Sequence, residues 1–246
     1  MWGERSIALE KEALRRRIYA PAAYAPVRDT AVVPVVHSEA YRLAAWFPLA
    51  WRKRGPKFEL VGVRSLLDDQ RAQPPAARAL LPLMLHAYPF VFDPKIPPDN
   101  HSPRMLDDVF ADAPTDAGAS ITTANGKLSR ATIQRFRILD SLAVELCTTR
   151  AIGASLADRE LFEPWELRFD IEGRPVGISG LFIVRQNAFV DGMFAPVLEK
   201  YGAPAAMLLG LHRVSLFRAG LLLAAARRAL KPKSAGFHND NAHSPA

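Results

Sequence analysis

The sequence predicts an α+β fold in which a mainly antiparallel sheet, built from hairpins, is packed by a long central helix and by C-terminal helices. Three observations carry this reading. Paired apolar runs separated by turn residues occur early and again late in the chain, and strands do not alternate regularly with helices as a doubly wound sheet requires. A long apolar stripe at mixed three- and four-residue steps lies between the two hairpins. The chain beyond about residue 188 is apolar with helical composition. Of 246 residues, 49% are apolar, 20 are proline, 14 glycine and one cysteine. This composition excludes a disordered chain, a collagen-like repeat and a disulfide scaffold, and the length suffices to bury a core without staples.

Residues 7–17 read as a short charged helix and residues 20–30 (APAAYAPVRDT) as an extended Pro/Ala linker, so residues 1–30 are expected to stand apart from a single domain over 31–230. The β-branched run 31–36 is a strand. Ser38 caps a brief helix reaching Ala45. The runs 46–51 and 58–63 flank the basic turn RKRGPK and form a hairpin, with Pro48 placing the first strand at an edge or a bulge. A short helix or turn spans 64–70, and a helical stretch over 76–86 is interrupted by Pro82. YPFVF at 88–92 reads as a strand. Residues 93–118, with five prolines and six aspartates, form an acidic loop longer than ordinary connections. Ser129 opens the clearest helix, with Ile133, Phe136, Ile138, Leu139, Leu142, Val144 and Leu146 on its apolar stripe and a stop at Gly153; a short helix over 156–161 follows. The runs 165–171 and 176–184 around EGRP are the strongest hairpin, and Gly177 and Gly180 mark a bulge or a close backbone approach. Helices over 188–201, 204–216 and 217–230 complete the domain, and the polar tail 231–246 is expected to be disordered.

The net charge is +7, with basic excess at both ends around the acidic 93–118 loop. Basic residues are not interleaved with exposed aromatics and no zinc-finger or recognition-helix signature is present, so nucleic acid is not an expected partner. A protein partner is, through the acidic loop or the basic C-terminal end. The apolar tract 203–230 is interrupted by His212, Arg213 and Arg218 and reads as two core helices. The alternative is an interfacial helix that meets a membrane surface with Arg227, Arg228, Lys231 and Lys233. The first 17 residues lack a signal-peptide core, and the lone Cys147 suits a reducing compartment, so a cytoplasmic location is expected.

No Gly-rich phosphate loop, GxSxG elbow or HExxH is present, and no cofactor or metal is expected. His37 and Glu39 form an HxE pair that, with His86 or His212, could supply two imidazoles and a carboxylate; the alternative is a strand-end histidine and a surface or capping glutamate. His212 and Ser215 share a helix face without a visible orienting carboxylate, which favours a packing pair. Cys147 reads as a buried structural thiol, and the pairs Asp68–Asp69 and Asp107–Asp108 as solvated acidic residues. HxD at His238 lies in the tail.

Three stretches resemble the SapC family. They are Glu39 to Trp51 (EAYRLAAWFPLAW), Leu81-Pro82 through Tyr88-Pro89-Phe90, and Leu161 to Leu223 with FEPWELRF, ISGLFIV and LHRVSLFRAGLL. The resemblance spans about residues 31–225. It departs from the family pattern at His86, at Thr122 to Gly126 and over 93–118. It implies a bacterial accessory or binding protein of a surface-protein or secretion-related pathway, an association of gene position. It supplies no catalytic residues; Glu39, Pro48, Tyr88, Pro89, Phe90, Gly180, His212 and Ser215 match its pattern as site or core positions. The competing expectations are an enzyme acting on a peptide or small molecule through a pocket of His37, Glu39, His86 or His212, and a peripheral membrane protein.

Overall fold

A computed structural model describes residues 5–93, 96 and 102–231. The chain runs β1 (Ser6–Ala8), α1 (Lys11–Leu14), β2 (Arg17–Ile18), α2 (Ala25–Asp29), β3 (Val32–Pro34), α3 (Ala40–Leu43), β4 (Leu49–Arg54), β5 (Lys57–Val63), α4 (Pro75–Ala79), α5 (Leu83–Ala87) and β6 (Phe90–Phe92). It continues with β7 (Arg104–Asp107), β8 (Ala119–Ser120), α6 (Arg130–Ala157), β9 (Phe162–Ile171), β10 (Arg174–Val184), α7 (Ala195–Ser215) and α8 (Ala219–Leu230). The fold is α+β, as the hairpin pattern predicts. Five strands form one antiparallel sheet in the order β3-β5-β4-β10-β9, and three form another in the order β1-β7-β6.

Both hairpins form, and they meet: β4 pairs with β10 through Trp51↔Phe182 and Arg52↔Leu181. This makes β4 an interior strand, and its register with β5 is unbroken, contrary to the edge or bulge expected from Pro48. The proline lies just ahead of the strand, where its missing N–H costs no ladder bond, and its carbonyl accepts from the Val63 amide at 2.9 Å. Gly180 (φ +70°) sits in a bulge between Ile178 and Leu181. At Gly177 a Cβ would lie 2.2 Å from the Leu167 carbonyl oxygen, so the glycine marks a close backbone approach. The two expected roles are divided between the two glycines.

α6 is capped by Ser129, whose Oγ accepts from the Thr132 amide, and it runs 28 residues without a stop at Gly153. The glycine lies on the buried face, where a Cβ would come 2.7 Å from Trp51 Cζ3; it is there for packing. The C-terminal half of α6 covers one face of the large sheet together with α7, around Trp51, Leu60, Ile152, Leu156 and Leu208. Its N-terminal half covers the small sheet, around Phe90, Leu106, Leu139 and Leu142. α8 lies on the opposite face of the large sheet, with Leu222 and Ala226 against Val61, Val63 and Leu167.

Residues 5–30 are not a linker. Ile18, Tyr24 and Val27 are buried, β1 joins the small sheet, and Tyr24 packs edge-on against Tyr88 with ring centroids 4.9 Å apart. Prolines 21 and 26 sit at the starts of helical turns, where their fixed φ fits, rather than marking extended chain. Within 93–118, Arg104–Asp107 forms the central strand of the small sheet. The expected disordered tail lies, from residue 232 on, outside the described residues, as do His101, His238 and His243.

Candidate functional site

The residues proposed for a His/Glu pocket do not converge. His37 and Glu39 lie in one 3₁₀ turn but face different elements. The His37 ring places Nδ1 3.0 Å from Thr149 Oγ1 and Nε2 3.2 Å from Glu145 Oε2, both on α6, while its amide also donates to Thr149 Oγ1. Glu39 turns toward α5: its Oε1 accepts from the Leu83 amide at 2.7 Å, and Oε2 from the Val36 amide at 3.2 Å. Arg42 reaches the Leu81 carbonyl and approaches the Glu39 carboxylate at 3.5 Å. Burial pushes the Glu39 carboxyl above its ordinary value despite these donors. His86 is half-buried beside this group, and burial and the Arg42 charge both lower its basicity. Glu39 thus acts as a staple between two backbone segments, as a capping glutamate would.

His212 and Ser215 form the packing pair that their spacing suggests, and the structure shows what they pack. The β4–β10 register would set Leu49 opposite Val184, but the strands part there and the His212 ring enters the gap. Val184 N–H donates to Nε2 at 3.1 Å, and Nδ1–H donates to the Leu49 carbonyl at 2.9 Å. Ser215 Oγ accepts from the Leu49 amide at 2.9 Å and donates to the His212 carbonyl. Both ring nitrogens are occupied, the imidazole is fully buried, and desolvation lowers its pKa to about 4. It is a neutral rung of the ladder with no free nitrogen for proton transfer.

Of the remaining expected positions, Pro48, Tyr88, Pro89 and Phe90 fall into the core, and Gly180 is exposed in its bulge. Tyr88 is fully buried and donates to Asp107 Oδ2 at 2.9 Å. The Tyr88–Pro89 bond is cis, the Pro89 carbonyl accepts from the Asp107 amide, and Phe90 packs edge-on against Phe136. Cys147 is exposed, not buried, because it lies one residue past the inward-facing Leu146 on α6. Asp68 and Asp69 face different partners, as do Asp107 and Asp108. No cluster of three metal-ligating side chains occurs among the described residues.

Two features were not legible as sites. One is a cleft of about 760 Å³ between the two sheets, lined by Arg5, Asp29, Asp68, Asp107, Arg52 and the bulge residue Ser179 among others. These residues come from six separate segments, so no spacing announces them. The other is the outward side of α7 and α8. The tract expected to form two core helices is only 28% buried over its most apolar 18-residue window. Its buried side is met by Ala205, Leu208, Leu209, His212 and Ser215, then Leu222, Ala225 and Ala226. Its outer side carries Met207, Gly210, Val214, Phe217, Leu221 and Ala224, and then Arg227, Arg228 and Lys231. Phe217 is 84% and Val214 57% exposed.

The family model for SapC matches residues 14–193. The match begins ahead of the expected domain start, which accords with the buried N-terminal segment, and it stops before α7. No curated protein and no solved structure matches at a significant level. With more than half of its length matched, the chain belongs to the SapC family.

Proposed function

We propose that this protein is an accessory protein of a bacterial surface-protein or secretion-related pathway and that it works at an anionic membrane surface, docking through α7 and α8. The observation that carries the reading is the outer face of Ala203–Lys231. An exposed helix face on a globular protein is ordinarily polar, whereas this one presents Met207, Val214, Phe217 and Leu221, with Gly210 among them and Ala224 after them. The face is about 42 Å long at 1.5 Å per residue. It ends in three exposed cations, and Arg213 and Arg218 flank it half-buried. An apolar face bordered by cations is the pattern of a helix lying in the headgroup region, where long basic side chains meet anionic lipids. The opposite side of the same helices is bound to the large sheet through His212, Ser215 and Leu222, which favours lying on the membrane over crossing it. The bonds that occupy Glu39 and His212 support an accessory role over acid–base chemistry at those residues.

Flotation of the purified chain with phosphatidylglycerol-containing vesicles tests this. Binding is expected at low salt, weaker at high salt, and weaker on pure phosphatidylcholine. Phe217→Glu is expected to lower partitioning by about tenfold or more, since burying a phenylalanine contributes about 1.5–3 kcal/mol. Absence of binding to anionic vesicles at low salt, or equal binding by Phe217→Glu, overturns the reading. A concentration-dependent dimer abolished by Phe217→Glu would overturn it by assigning the face to a second copy of the chain.

A further inference from the structure

We infer that the cleft between the two sheets binds a short peptide by its two free, oppositely charged ends. The cleft has a volume of about 760 Å³ and is lined by charges of both signs. The side chains of its cations, Arg5 and Arg52, form no hydrogen bond or ion pair with the described residues; Glu59 stands directly across from Arg52 in the β4–β5 ladder. Its anions are held in place from behind. Asp68 Oδ1 accepts from the Ala31 amide at 3.0 Å and Asp29 Oδ1 from the Gln70 amide at 3.2 Å, and the second oxygen of each has no partner among the described residues. Asp107 is fixed by the Tyr88 hydroxyl at 2.9 Å.

A ligand of one sign would cover the opposite charges without pairing them, and each such charge would lose water without compensation. A ligand bearing both signs satisfies both sets. The register sets the distance. Arg52 is level with Glu59 on β5, while Ala31, held by Asp68, is level with Arg64, five residues farther on. That is about 16 Å along the strand direction, and Arg52 on β4 and Ala31 just ahead of β3 are a further two strand spacings, about 10 Å, apart on either side of β5. Strand side chains stand roughly perpendicular to the sheet, so most of this separation persists between the charged groups; it exceeds one amino acid and fits a short extended peptide of about three residues. The carboxylate end lies toward Arg52, where a guanidinium can meet both of its oxygens, and the ammonium end toward Asp29 and Asp68. Thr30 and Ser179 supply hydroxyls along the cleft, and Val32, Leu66 and Ile178 supply apolar wall.

The test is calorimetric titration of the full chain with tri-alanine having free termini, with its N-acetyl form, with its C-terminal amide, and with alanine. Saturable binding of tri-alanine is expected, with each blocked form weaker by about tenfold or more and alanine weaker still. Arg52→Gln is expected to bring tri-alanine down to the affinity of the amide while leaving the amide unchanged. Asp68→Asn, which keeps the acceptor for Ala31, is expected to do the same with respect to the N-acetyl form. Equal affinity for blocked and free peptides on the unaltered protein, or no saturable heat into the millimolar range, overturns the inference whether or not a variant folds. So does an Arg52→Gln variant, melting like the parent, whose selectivity is unchanged. None of these outcomes depends on the membrane face.

Discussion

His212 replaces a direct strand-to-strand hydrogen bond with an imidazole, and this has a consequence in pH. The ring is buried with its pKa lowered to about 4, against an ordinary value of 6.5. The folded state therefore holds the neutral form, and the unfolded chain takes up a proton first as pH falls. The contribution is fully present above pH 6.5, is lost progressively between pH 6.5 and about 4, and the total loss is on the order of 3 kcal/mol. The buried carboxyls of Glu39 and Asp107, whose pKa values are raised, act with the opposite sign, since the folded state favours their protonated forms. The discriminating measurement is thus a difference: urea unfolding of the parent and of His212→Gln between pH 7 and pH 4. The variant is expected to be less stable by about 2–4 kcal/mol at pH 7, since Leu49 and Val184 lose well-aligned partners. The gap is expected to narrow as the pH drops. A gap that stays constant across this range would show that the imidazole does not stay neutral in the fold. The sequence indicates a packing role for the His212–Ser215 pair through its three-residue spacing, but what the pair packs is a mismatch between two strands that belong to different hairpins. Only the tertiary pairing of β4 with β10 creates the gap that the ring fills.

The helix α6 and the large sheet meet at Gly153 and Trp51. A Cβ on Gly153 would approach Trp51 Cζ3 to 2.7 Å, and the indole is itself fully buried with no room to retreat. Gly→Ala in an open helix stabilises by about 1 kcal/mol, so the sign of Gly153→Ala separates two roles for this residue. Destabilisation by about 1–3 kcal/mol in thermal or chemical unfolding is expected from overpacking. A gain in stability would mean that the glycine is a tolerated helix weakness and that α6 does not seat on Trp51. The same residue shows how far elements are legible. Hairpins were readable because alternation and turn residues are local, and the long helix because its stripe and its Ser129 cap are local. The glycine was misread as a stop because its reason is a tryptophan about a hundred residues away. Pro48 was misread for the same kind of reason, as β4 begins one residue after it and is made an interior strand by pairing with β10, more than a hundred residues away. Of the candidate site residues, Glu39 and His212 were legible as capping and packing groups. The cleft was not, since its charges come from six segments that only the docking of two sheets brings together.

At the scale of the whole molecule, the two sheets are joined through the segment that composition presents as a linker. Arg64, fully buried at the end of β5, donates to the carbonyls of Val27 and Thr30 on one side and to Gln73 Oε1 and the Ala77 carbonyl on the other. Burial lowers its pKa to about 10, which still leaves it a cation at neutral pH. Its charge is met by three backbone carbonyls and one amide oxygen, and two of those acceptors belong to residues 25–30. Deleting residues 1–30 would therefore strip a buried guanidinium of half its acceptors. Breaking a buried charge network of this kind costs about 3–5 kcal/mol. The same deletion removes β1 from the small sheet and takes out Ile18, Tyr24 and Val27, each contributing about 1.5–3 kcal/mol by burial. Against a typical domain stability of about 5–15 kcal/mol, the remaining chain is expected to lose its cooperative transition. The measurement is near-ultraviolet circular dichroism and thermal melting of a chain beginning at Ala31. A cooperative melt within a few degrees of the parent would restore residues 1–30 to the role of a separate arm. The expected collapse would instead place the start of the folded unit ahead of α2, which fits a family match that begins at residue 14.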